Sequence, residues 1–143
     1  AFARLIRSRT GYEVKIASEP VVPEPRLLVL APGGSDLVYE SGRLLSQPCR
    51  EGEANRPRID VLLRSLAKAE GPHVGVILSG MGNDGAAGLL AMRDSGKLTL
   101  CQDRNSAAVW GMPGAACALD AAVEVLPPRG IANLLLEHGK DAS

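Results

Sequence analysis

Val74-Gly-Val-Ile-Leu-Ser-Gly80-Met-Gly82-Asn-Asp84-Gly85-Ala-Ala-Gly-Leu-Leu-Ala-Met-Arg93 holds the fold signal of this chain in one run. Residues 74–78 are continuously apolar, with Gly71-Pro72 before them and glycines after, which predicts a short buried strand. A helix is predicted from about Asp84 to Ser95, stopped by Gly96. Between the two lies a glycine-rich turn with a single acid, Asp84. A strand feeding a helix through a short turn is the repeating unit of an α/β fold.

The pattern continues on both sides. Upstream, Ile59, Leu62, Leu63 and Leu66 fall at i, i+3, i+4 and i+7, an amphipathic helix running to about Glu70. Residues 98–101 predict another apolar strand. A helix is expected within 106–118, with Pro113 near its start. A strand over 122–126 and a helix over 131–138 close the chain. These strands are apolar throughout rather than alternating, the mark of parallel strands covered on both faces. Earlier in the chain, Phe2, Leu5 and Ile6 have helical spacing with no capping residue before them. Strands are expected at 12–16 and 27–31, separated by a loop at 19–25 with three prolines. Residues 36–40 and 43–46 flank Ser41-Gly42 as a β-hairpin. The stretch 47–58 is polar and without period. The expected architecture is therefore α/β, a three-layer sandwich with a mostly parallel sheet and an antiparallel hairpin appendage. In such sheets, sites lie outside the carboxyl ends of the strands, which here are residues 80–85, 32–36 and 102–105.

Composition narrows the function. A chain of 143 residues is of single-domain size. With 45% hydrophobic but only 3% aromatic residues, its core must be aliphatic. Sixteen basic and sixteen acidic residues cancel, leaving no electrostatic footprint for nucleic acid or an anionic membrane. No apolar run approaches the roughly 20 residues of a membrane-spanning helix. Residues 1–8 are too short and too interrupted by arginine for a signal peptide. Cys49, Cys101 and Cys117 fit neither a disulfide framework nor metal-ligand spacing, which points to a reducing cytoplasm and to no metal or cofactor.

Three readings of the central turn compete. Gly80-Met-Gly82-Asn-Asp84-Gly85 matches G-x-G-x-x-G, with Asp103 after the next strand as a would-be ribose acid. Against a dinucleotide site, Asp84 sets a negative charge where pyrophosphate would sit. Several strands also precede the motif, and the spacing to Asp103 is only approximate. As a second reading, Asp84 caps its own helix. As a third, a rigidly held acid at a strand end orients a histidine, as the acid of a catalytic triad does. The last two are compatible. Neither histidine suggests itself as the base. His73 precedes the amino end of the 74–78 strand, and His138 lies on an exposed helix end. No Gly-x-Ser-x-Gly elbow occurs. Ser79 has no paired histidine, Ser35 and Ser106 read as turn residues, and Cys101 as an inert core thiol.

Residues 74–93 resemble the catalytic domain of CheB-type chemotaxis protein-glutamate methylesterases, which carries V-I-L-T-G-M-G-x-D-G-A-x-G-L. Ala31-Pro32-Gly33 resembles the family's A-P-G turn. Arg56-Pro57-Arg58-Ile59-Asp60-Val61-Leu62 resembles its R-P-S-V-D-V-L. Gln102-Asp103 and Gly111-Met112-Pro113 resemble its Q-D/N-E-A-S…F-G-M-P, and residues 123–127 its D-E-V-x-P strand. The resemblance implies a Ser–His–Asp hydrolase that releases methanol from glutamate methyl esters on chemoreceptors, without a cofactor. It implies Asp84 as the triad acid and the backbone N–H of Met81 as an oxyanion donor. It also implies a receiver domain ahead of the catalytic one.

Ala1-Phe2-Ala3-Arg4-Leu5 resembles the family's S-F-A-x-R-L, which follows its histidine. The family's G-x-S-T-G-G serine and Q-H-M-P histidine therefore have no counterpart in the chain. Residues 1–143 are expected to be the catalytic domain without its N-terminal strands. Three departures stand at positions expected to line the active-site rim. Asp36 replaces a histidine, Asn55 falls within the usual N-R-H-R-P, and Arg104 replaces an acid. They leave room for an alternative, an inactive module that docks on a receptor or signalling partner.

Overall fold

The computed structural model describes residues 1–49 and 57–141. Its elements follow the expected order, beginning with α1 (Phe2–Thr10), which has no side-chain cap at its start and ends at Gly11. The parallel pair β1 (Glu13–Ile16) and β2 (Leu27–Leu30) runs in register from Glu13 opposite Leu27 to Ile16 opposite Leu30. The hairpin β3 (Ser35–Glu40) and β4 (Arg43–Pro48) is antiparallel. It turns through Ser41 and Gly42, both at positive φ, as a two-residue hairpin matched to strand twist requires. A second parallel sheet has the order β5 (Val74–Ile77), β6 (Leu98–Gln102), β7 (Glu124–Leu126).

The core gathers on this second sheet. Ile77 of β5 and Cys101 of β6 are buried with Leu89 and Met92 of α3 (Ala86–Asp94). Leu63 of α2 (Ile59–Lys68) and Ala116 of α4 (Met112–Ala118) join them. The core is aliphatic, as the scarcity of aromatics demands. Full burial of a side chain such as Leu89 contributes about 1.5–3 kcal/mol. α5 (Pro128–Asp141) packs on β6 and β7.

Several boundaries differ from the sequence expectations. α3 starts at Ala86, not Asp84, because Gly85 sits at φ 99° and breaks the helical path. α5 is longer than its apolar stripe, since Pro128 supplies a preformed first turn. β4 continues through Pro48 into the supposed polar loop; residues 50–56 lie outside the described ones. Among the parallel strands described, burial on both faces holds for β6 alone. β5 alternates buried with half-buried positions, β2 is half-buried throughout and β7 is mostly exposed. Among the described strands, β6 alone has a strand on each side. Among the described residues, no strand pairs with the outer edge of β1 or of β5.

The register sets up the site. Ile77 lies opposite Cys101 and Gln102 opposite Leu126, so the turns after β5 and β6 emerge side by side. Gly80 and Trp110 extend the parallel pairing past the strands: Gly80 N–H donates to the Val109 carbonyl at 3.0 Å, and Met112 N–H to the Gly80 carbonyl at 2.9 Å.

Candidate active site

Asp84 does not cap α3. Its Oδ2 accepts the Ile59 N–H at 2.8 Å and its Oδ1 the Asp60 N–H at 3.0 Å. These amides open α2, whose preceding residue Arg58 offers no side-chain cap, and the first turn of a helix has no internal acceptors for them. Asp84 thus caps a neighbouring helix. The return contact comes from Asp60, whose Oδ1 accepts the N–H groups of Gly85 at 3.1 Å and Gly88 at 2.7 Å. Each helix start is capped by the acid at the other. The exchange needs close approach. A Cβ on Gly88 would stand 2.8 Å from Leu63 Cβ and 3.1 Å from the Asp60 backbone.

A second carboxylate braces the same helix start. Asp36, only 2% exposed, accepts the Arg58 N–H at 2.9 Å on Oδ1. Its Oδ2 takes the Arg58 Nε–H at 3.1 Å and the Nη2–H at 2.6 Å. The hydrogen bond to Asp36 is the main reason the Arg58 guanidinium is held above its ordinary pKa. Asp36 is therefore not an open rim position, as the sequence suggested. It is a buried brace, because Arg58 occupies the place of the family motif's serine and pairs with it.

The floor beside Asp84 is built from the β6 side. Gln102 Oε1 accepts the Ser79 N–H at 2.8 Å, and Gln102 Nε2 donates to Ser106 Oγ at 3.2 Å. Ser79 Oγ accepts from Val109 N–H at 2.9 Å and donates to the Val109 carbonyl at 3.1 Å. Ser79 is thus a clamp between two turns, not a nucleophile. Asp103 caps its own turn through Ser106, which removes it as a ribose acid. Arg104 is exposed, its guanidinium 5.4 Å above the Trp110 ring centroid. Met81 stands 84% exposed at the crest of the turn. Asn55 lies outside the described residues.

Neither histidine joins the site. His73 sits at the amino end of β5, half-buried edge-on to the Tyr39 ring at 4.9 Å, with Nε2 3.0 Å from the Glu70 carbonyl oxygen. His138 is not on an exposed surface: its Nε2 is enclosed and has no hydrogen-bond partner among the described residues. Cys101 is fully buried, and its thiol is pushed up to about 12, first by burial and then by Cys117. Among the described residues no group of histidine, cysteine and acid side chains could hold a metal ion. No helix among them is long and apolar enough to cross a membrane. Asp60 was missed in the sequence as part of the site. Its signal was there, an acid in the first turn of α2, but nothing local tells that it caps a different helix.

Comparison with known proteins fits this arrangement. The family model described as CheB methylesterase matches residues 1–135. The chain belongs to the CheB methylesterase family. The protein-glutamate methylesterase/protein-glutamine glutaminase 2 of Pseudomonas syringae pv. syringae is 42% identical over 134 residues, covering 92% of this chain and 40% of that protein. A protein of the same name from Methanospirillum hungatei is 46% identical over 128 residues, covering 88% of this chain and 37% of its own. The chain thus spans about 40% of the length of the curated relatives it matches. The crystal structure of the Thermotoga maritima CheB methylesterase catalytic domain superposes with a TM-score of 0.83 at 27% identity, over 94% of this chain and 74% of that one. The expected α/β fold is therefore the CheB catalytic fold. Two residues of this CheB chain that differ from the family motifs, Asp36 and Arg58, are hydrogen-bonded to each other.

Proposed function

We propose that this chain is the C-terminal part of the catalytic domain of a protein-glutamate methylesterase, and that Asp84 is the acid of its Ser–His–Asp triad. The observation that carries the reading is the grip on Asp84 at the carboxyl end of β5. Two consecutive backbone amides hold its two oxygens from one side. A carboxylate has about four lone-pair sites, so those on the far side can accept an imidazole N–H. That is what a triad acid does: it sets the tautomer and direction of the histidine. The serine oxygen then adds to the ester carbonyl of a methylated glutamate side chain. The histidine takes the serine proton and delivers it to the departing methoxide, releasing methanol. Water hydrolyses the acyl-serine to glutamate.

The N–H of Met81 supports the oxyanion role, since it has no acceptor among the described residues. The relatives' names join methylesterase to glutaminase, and the same acyl chemistry with ammonia leaving covers both. The serine and histidine belong, in this reading, to strands outside this chain. The unpaired edges of β1 and β5 fit such strands, as do the exposed Phe2 and Leu5 of α1, at 63% and 53%. Methylated chemoreceptors are the substrate, and a receiver domain and a cytoplasmic setting complete the proposal. The Asp36–Arg58 pairing weakens the inactive-module alternative, because it turns one of the three departures behind it into a buried brace and leaves the Asp84 turn intact.

The test is methanol release from methylated receptor. The 143-residue chain alone is expected to release none above background. In the full-length protein, Asp84→Asn is expected to lower kcat by about 10³–10⁴-fold while the protein stays folded. Wild-type turnover by that variant would remove Asp84 from the triad.

A further inference from the structure

We propose that Asp60 is a positioning residue for Asp84, acting on the reaction only through that carboxylate; this rests on the reading of Asp84 as triad acid. The bonds between the two residues form a closed ring. Asp84 Oδ1 accepts the Asp60 N–H at 3.0 Å. The Asp60 side chain returns through Oδ1 to the Gly85 N–H at 3.1 Å, one peptide unit from Asp84. The same Oδ1 takes the Gly88 N–H at 2.7 Å, which ties the ring to the first turn of α3. The ring fixes two things at once. The amides of Ile59 and Asp60 set the plane of the Asp84 carboxylate. The Asp60 carboxylate sets where the Asp84 backbone lies relative to those amides.

Without the Asp60 side chain, the hydrogen bonds left between the turn and the start of α2 are those of the Asp84 grip, beside the packing of Ala86 and Leu89 with Ile59 and Leu63. The glycines bring no side chain of their own to fix the direction of the Asp84 carboxylate. Gly85 has no side chain and sits at φ 99°, and any Cβ there would meet Ile59 and Ile77 at 3.0 Å. Gly88 is equally bare against Leu63. Packing sets how near the turn lies to α2, while hydrogen bonds set the orientation of its backbone, and Asp60 accepts two of them. A histidine partner needs the Asp84 carboxylate within a narrow angle, and a displacement of about 1 Å can cost about 100-fold in rate.

The experiment measures kcat and KM for methanol release from methylated receptor in the full-length protein, with and without Asp84→Asn. Asp60→Ala is expected to lower kcat by about 10–100-fold with KM within about 2-fold. Asp60→Asn, whose carbonyl oxygen can accept both glycine N–H groups, is expected to recover most of that loss. In the Asp84→Asn background, Asp60→Ala should lower kcat no further, because residues that act as a unit are not additive. Should Asp60→Ala not fold, Asp60→Glu replaces it: the charge remains but the acceptor moves by one methylene, and the same Asp84-dependent loss is expected. The proposal is overturned if folded Asp60→Ala or Asp60→Glu turns over like wild type, or loses the same factor with Asp84 already replaced. Full turnover by Asp84→Asn alone would instead sink the triad reading.

Discussion

Removing the Asp84 carboxylate takes the acceptor from two amides, those of Ile59 and Asp60. Loss of a helix cap costs about 0.5–2 kcal/mol, so Asp84→Ala should lower unfolding free energy by about that amount in denaturant titration. Asp84→Asn keeps one carbonyl acceptor and should lose less. Stability and turnover are therefore expected to separate: alanine and asparagine differ in the first and agree in the second. Equal stability of Asp84→Ala and wild type would show that solvent satisfies the α2 amides as well as Asp84 does. The acid was legible in the sequence because it stood alone among glycines in a strand-to-helix turn, and so was its capping chemistry. The helix it caps was not. Its donors lie 24 and 25 residues away, and side-chain spacing speaks only to local geometry.

Between elements, the decisive contact joins β3 to the start of α2. Asp36 is buried and Arg58 answers it with three donors. Changing one member of such a pair removes hydrogen bonds that the other was placed to make, which costs more than replacing both members together. Restoring the family residues one at a time, as Asp36→His or Arg58→Ser, should therefore lower Tm in each case. Restoring both should recover much of the loss. If the double variant loses the sum of the single losses, the two positions are independent and the paired reading fails. Asp36 was read from the sequence as a departure, but Arg58 and its pairing with Asp36 were not. An antiparallel hairpin and a polar stretch separate them in the chain, and only the fold brings them together. Strand and helix types were legible because apolar runs and 3.6-residue stripes are long enough to be unambiguous. Their ends were not, since Gly85 and Pro128 set them by backbone geometry rather than by apolar pattern.

Across the molecule, the one large protonation shift resolved among the described groups belongs to Cys101 in the aliphatic core. A thiol ordinarily titrating at 9.0 and raised to about 12 keeps its proton in the folded chain where the unfolded chain releases it. The stability linked to Cys101 is thus complete below pH 9 and is lost as pH climbs towards 12. Denaturation followed over that range should show falling stability, with a shallower fall in Cys101→Ala. A thiol reagent at pH 8 should reach Cys101 only on unfolding, and rapid labelling of the native protein would contradict its placement. The α/β architecture was legible at this scale, because the apolar strands alternate with helices along the chain. The division into two parallel sheets was not, because pairing partners are chosen in space.

That division has a consequence for how the protein is made. Among the described residues, β1 and β5, like β2 and β7, each carry one edge that no strand pairs, and such an edge accepts an extended segment that reaches it. Strands that precede this chain, as proposed, would leave the ribosome before it. They would be waiting when β1 and β5 form, and the edges would close within the same molecule. Supplied late or as a separate polypeptide, they would compete with other copies of the same edges.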